Sequence, residues 1–142
     1  MDTKKFLIGT LVGGIAIFFI GYLLYGVLLL NFFNQHSVAP AGSMKSMNDF
    51  SWGALVFANF ATGALLSYIF LKIGNVNSFG RGAGLGFVIG FLMYTGNYLL
   101  SYATGNNMDL TGTWADVITG AVLTAIAGGI IAAVWGMGKK KV

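Results

Sequence analysis

Few of the 142 side chains can do chemistry, and their spacing limits what that chemistry is. His36 is the only histidine, and the acidic residues are four aspartates, Asp2, Asp49, Asp109 and Asp116, with no glutamate. Cysteine is absent, which excludes disulfides, thiol catalysis, iron–sulfur clusters and Cys-based zinc sites. A metal centre needs three or four ligands held rigidly, and nothing in the spacing of His36, Asp49, Asp109 and Asp116 fixes such a set, so His36 reads as a solvated loop residue. Thr113-Trp-Ala-Asp116 has the spacing of a capping box, and Asp116 is expected to satisfy free amides at a helix start. The run from Gly80 to Gly86 lacks the spacing of a phosphate-binding loop and follows no strand. No nucleophile stands beside a base. These patterns imply no enzyme, no cofactor and no metal.

The elements that carry these residues are apolar. Hydrophobic residues make up 56% and charged residues 8% of the chain, against about 25% charged in a soluble domain. Four apolar runs, 6–30, 52–71, 82–103 and 114–137, each reach the roughly 20 residues that cross a bilayer as a helix. They do not alternate as barrel strands would. The expectation is an all-α, integral membrane four-helix bundle, one domain over residues 1–142, with its first helix retained rather than cleaved as a signal.

Charge gives the direction. Lys4, Lys5, Lys72, Arg81 and Lys139 to Lys141 fall on one side of the four crossings and Lys45 alone on the other, so seven of eight basic residues place both termini in the cytoplasm. The surplus of positive charge then meets anionic lipid, and a nucleic-acid partner is not needed. Trp52 and Trp114 on the outer side and Trp135 on the inner side read as interfacial anchors.

Glycine, at 22 residues, lies inside the apolar runs and not in linkers. Gly82, Gly86 and Gly90 in the third span recur every fourth residue, as do Gly120, Thr124, Gly128, Ala132 and Gly136 in the fourth. A second small ridge holds Ala121, Ala125, Gly129 and Ala133. Helices in lipid associate by such close approach, which predicts either a tight monomer or self-association, or docking to another membrane protein, through these faces. Ile118, Val122, Ile126, Ile130 and Val134 form the opposite face, suited to lipid.

No charge sits near the middle of a span, so ion-coupled transport lacks a carrier. The polar groups inside are uncharged. Asn59 and Asn97 are placed for mutual contact in the outward half of neighbouring helices, and with Tyr94 and Tyr98 they define a candidate polar vestibule. Two functions follow: a packing, assembly or accessory subunit, or a small pore or carrier for an uncharged solute or ion lined by Asn59, Asn97, Tyr94 and Thr124.

The stretch from Gly13 to Gly26, Phe32-Phe33, Gly84-Leu-Gly-Phe-Val88 and the Gly-rich fourth span ending at Trp135 resemble a family of small bacterial four-span inner-membrane proteins catalogued as a domain of unknown function. The resemblance implies a prokaryotic inner membrane and no known activity. Trp52 to Asn59 with Gly63-Ala-Leu-Leu66 is also similar to the second span of small dual-topology fluoride channels, in which an Asn lines the pore. The chain departs from that family: no Arg closes the first span, and seven basic residues against one do not balance the loops as pairing in opposite orientations requires.

Overall fold

The computed structural model describes residues 1–138. It is all-helical and carries four helices long and apolar enough to cross a membrane. α1 (Thr3–Leu23) continues through a π-helical turn, Leu24–Leu28, and after a break at Leu29 the short α2 (Leu30–His36) follows. α3 (Trp52–Ile73), α4 (Phe79–Thr104) and α5 (Leu110–Met137) complete the chain. One end of the bundle carries the α2–α3 and α4–α5 connections and is the loop end. The other carries the start of α1, the α3–α4 connection and the close of α5.

Asp2 caps α1, its carboxylate accepting the Lys5 amide at 3.1 Å. Asp109 caps α5, accepting the Gly112 amide at 2.7 Å. The fourth span therefore begins at Leu110, four residues before the boundary expected from hydropathy, and the expected capping box does not form. Thr113 instead donates to the Asp109 carbonyl at 2.8 Å, and Asp116 lies inside the helix.

α5 is the central helix. Its small ridge meets the glycines of α4: a Cβ on Gly82 would strike Gly128 and Ala132, one on Gly86 would strike Thr124, and one on Gly90 would strike Thr124 and Ala121. Thr124, fully buried in this seam, donates to the Gly120 and Ala121 carbonyls of its own helix at 2.9 and 3.1 Å. Gly129, on the second ridge, lies under the Phe79 ring. The row of Gly120, Thr124, Gly128 and Ala132 is thus occupied by α4, while Ala125 and Ala133 of the second ridge are only partly buried. α1 packs on α3 the same way, with Gly63 against the backbone of Thr10, Gly13 and Gly14. Leu66, Phe70, Leu123, Ala127 and Ile131 fill the space where α1, α3 and α5 meet. α3 and α4 touch only marginally. Ile118 and Val122 remain exposed and Ile126, Ile130 and Val134 partly so, as a lipid face should be.

Trp135 departs from the interfacial role expected of it. It is 6% exposed, meets Phe70 edge-on at 6.4 Å between centroids, and donates its indole N–H to the Lys5 carbonyl at 3.1 Å. A buried indole needs an acceptor, and the first turn of α1 supplies one, tying the beginning of the chain to the close of α5. Trp52 and Trp114 stay exposed, 47% and 40%.

The seam makes a sharp prediction. Gly84 has open space around its Cα, whereas Gly86 has the backbone of Thr124 there. Ala is the better helix former by about 1 kcal/mol, but overpacking a tight contact costs about 1–3 kcal/mol. Gly84→Ala should leave the unfolding temperature in mild detergent unchanged or raised, and Gly86→Ala should lower it.

Candidate functional site

The π-helical turn sets the site. Its wide ring, closed by the Leu29 amide on the Leu24 carbonyl at 2.9 Å, carries Tyr25 toward α5, where the Tyr25 hydroxyl donates to the Asp116 carboxylate at 2.6 Å. Single π turns inside α-helices recur at functional positions. Phe33, from α2, stacks on Tyr25 at 5.3 Å and holds the ring from the other side. α4 contributes Tyr94 and Tyr98, stacked at 5.4 Å. Gly120 gives Tyr94 its place, since a Cβ there would enter the Tyr94 ring. Tyr98, one turn further, lines the same cavity as Asp116.

Above this cluster is an open cavity of about 360 Å³ at the loop end. Asp116, Tyr98, Tyr102, Phe33, Met108 and Asn107 are among its walls. Asp116 is half-buried, six residues into α5 and so about 9 Å along the helix from Leu110.

A clasp closes the loop end over the helices. Ser37 and Met108 form an antiparallel bridge, with Val38 donating to the Asn107 carbonyl at 3.1 Å and Asp109 to the His36 carbonyl at 3.0 Å. His36, expected to be solvated, is instead partly buried: Nδ1 donates to Asp109 at 2.8 Å and the ring lies 4.4 Å from that of Phe32. Gly112 leaves room for this, because a Cβ there would meet His36 and Met108. Asp109 thus has two partners, the Gly112 amide first and His36 second, and they hold its carboxyl below the ordinary carboxylate value.

The vestibule expected from sequence is assembled only in part. Tyr94 and Tyr98 join the cluster. Asn59 donates to the Leu55 carbonyl of its own helix at 2.9 Å, and Asn97 is exposed on α4 with no side-chain hydrogen bond among the described residues, so the two amides do not pair. Thr124 is sealed in the α4–α5 seam. Tyr25 and Asp116, 91 positions apart, are the residues that sequence reasoning missed. The one signal for them was an ionisable group inside an apolar run, which in a membrane is by default a functional residue with a partner to be found.

Two outcomes are expected. Removing the hydroxyl in Tyr25→Phe leaves a half-buried carboxylate short of its donor, a loss of about 1.5–3 kcal/mol for a hydrogen bond to a charged group, and combining it with Asp116→Leu should cost less than the sum of the two. Unfolding of the two single variants and the double variant measures that coupling. Because the Asp109 carboxyl is lowered in the folded state, its stabilising effect is complete above the unfolded value of about 3.9 and drains away as pH falls through the folded value. Asn caps helices as well as Asp does but does not titrate, so Asp109→Asn should flatten the fall in thermal stability below about pH 4.

The chain matches no protein-family model, no curated protein and no solved structure, so the meaning of the site rests on its geometry.

Proposed function

We propose that this is a non-enzymatic multi-pass protein of the bacterial inner membrane, with both termini in the cytoplasm, that receives a small solute in the cavity at its loop end. The observation that carries the reading is the Asp116 carboxylate, held within a membrane helix by the Tyr25 hydroxyl and open to a cavity of about 360 Å³. Ionisable groups at such depth are expensive, and packing alone has no use for one. The volume is within the roughly 300–1,000 Å³ of small-molecule sites. A through-pore is disfavoured because its expected lining is dispersed: Thr124 lies in a closed seam, and beneath the cluster Leu123, Ala127 and Ile131 are buried. The orientation is supported by Lys4, Lys5, Lys72 and Arg81 at the terminal end and by Lys139 to Lys141 following α5 in the sequence, against Lys45 alone at the loop end.

The lack of cysteine gives a clean test. Single variants Asn34→Cys and Ser101→Cys, both on the cavity wall, should react with a membrane-impermeant maleimide added to spheroplasts, while Thr124→Cys should not. Labelling of Thr124→Cys would replace the one-sided cavity with a pore, and protection of both wall positions would remove the cavity reading or invert the orientation.

One observation favours the second reading, an accessory subunit in an assembly. Asn97 presents an amide with no side-chain hydrogen bond among the described residues on the exposed surface of α4, and hydrocarbon offers it no partner. Disulfide-linked dimers of Asn97→Cys in membranes would support a second copy of the chain as that partner; monomers at every protein density would count against it.

A further inference from the structure

The walls of the cavity say what kind of solute fits it, given the solute-binding reading above. We propose that the loop-end cavity is a site for a small organic cation, an ammonium or quaternary ammonium group, seated between the Asp116 carboxylate and the rings of Tyr98, Tyr102 and Phe33.

Four features on the page converge on that class. The first is charge. Among the residues lining the cavity Asp116 is the only acidic one, and no Lys or Arg is present to balance it. The loop end as a whole carries Asp49, Asp109 and Asp116 against Lys45, so an anion would enter against the local field and a cation with it. The second is the ring set. Phe33, Tyr98 and Tyr102 arrive from α2 and from two successive turns of α4, giving aromatic surface on more than one side of the space. A cation over an aromatic face is attracted by the ring quadrupole, whereas an anion gains nothing. The third is the second acceptor set. Ser37, Ser101 and Asn107 also line the space and offer oxygens to a primary or secondary ammonium or to a hydroxyl on the same ligand. The fourth is size: an open space of about 360 Å³ admits a ligand of amino-alcohol or aryl-ammonium dimensions.

The cluster also explains how the carboxylate stays available. The Tyr25 hydroxyl takes one oxygen of Asp116, Oδ1, from the α1 side, with Phe33 stacked behind that ring. A carboxylate has about four acceptor sites, and Asp116 also lines the cavity, so capacity for a ligand remains. Tyr25 is therefore a positioning residue. It orients the carboxylate and does not itself line the cavity.

The test uses the full chain, purified in mild detergent, and three aromatic probes of similar size: phenyltrimethylammonium, benzyl alcohol and benzoate, titrated calorimetrically. Saturable binding of phenyltrimethylammonium alone is the expected result. Asp116→Asn, in which the side-chain carbonyl still accepts from Tyr25, should weaken it at least tenfold, and Tyr102→Leu, which alters a wall exposed at its rim, should weaken it several-fold. Asp49→Asn, a charge at the same end but outside the cavity, should leave it unchanged. If Asp116→Asn does not fold, Tyr102→Leu against Asp49→Asn decides alone. Equal binding of benzyl alcohol would make the site merely apolar and overturn the cation proposal. So would cation binding indifferent to the variants, or no cation binding by protein whose wall cysteines are labelled, a result that spares the solute-binding reading. Wall cysteines that stay unlabelled even in the detergent-purified protein, where orientation no longer matters, would instead overturn both.

Discussion

Everything above the middle of this bundle depends on how closely α4 approaches α5. In lipid the helices gain nothing from hiding apolar surface, so their association rests on backbone contact and on hydrogen bonds across the seam. Gly82, Gly86 and Gly90 against Thr124, Gly128 and Ala132 bring the two backbones into contact, with the Thr124 hydroxyl returned to carbonyls of its own helix. Continuing the same four-residue row along α4 replaces glycine by Tyr94, Tyr98 and Tyr102. The row that is bare at one end is aromatic at the other, and Gly120 on α5 is where one changes to the other. With glycine below them, Tyr94 lies over Gly120, and Tyr98 and Tyr102 share a cavity with Asp116.

A consequence is that stability and site are arranged in layers along α5. Near the termini, Trp135 reaches the Lys5 carbonyl and Phe70 fills the space beside it. In the middle the contact is glycine on backbone. At the loop end the backbones give way to rings, a carboxylate and open volume. The polar residues at the loop end are held by one another and by the Ser37–Met108 bridge, with no metal or disulfide among the described residues to do it.

Much of this was legible in the sequence. Hydropathy and length establish four long apolar helices, and of the every-fourth-residue rows Gly82, Gly86 and Gly90 lie against α5 while Ile118 and Val122 are exposed. Whether small residues face a neighbour in the same chain or in another is not written in their spacing; it depends on which helix lies opposite. Asp116 was hidden for a definite reason. Two aspartates, Asp109 and Asp116, each stand where a helix could begin, and the capping pattern at Thr113 is the stronger of the two on paper. Asp109 prevails because the bridge from Ser37 to Met108 fixes the chain just ahead of it and His36 takes its second oxygen. Both are contacts of more than 70 positions in sequence, beyond any local pattern. Trp135 misleads similarly, since a Trp at a helix end belongs equally to the headgroups or to an indole acceptor, and only the fold supplies the Lys5 carbonyl.

The π turn at Leu24–Leu28 divides the first span into two rotational phases. Up to Leu23 the helix keeps the usual 3.6-residue pitch, and Gly9, Gly13 and Ile17 face its neighbours on that phase. Each residue advances the face by about 100°, so one extra residue in a turn rotates everything beyond it by that amount. Tyr25 lies in the turn itself, and Phe33 beyond it in α2, past the break at Leu29. The lower part of the span is thereby free to obey the packing of α3 while the upper part obeys the cavity, and neither dictates the side chains of the other. A helix of uniform pitch would have to serve both neighbours with a single stripe.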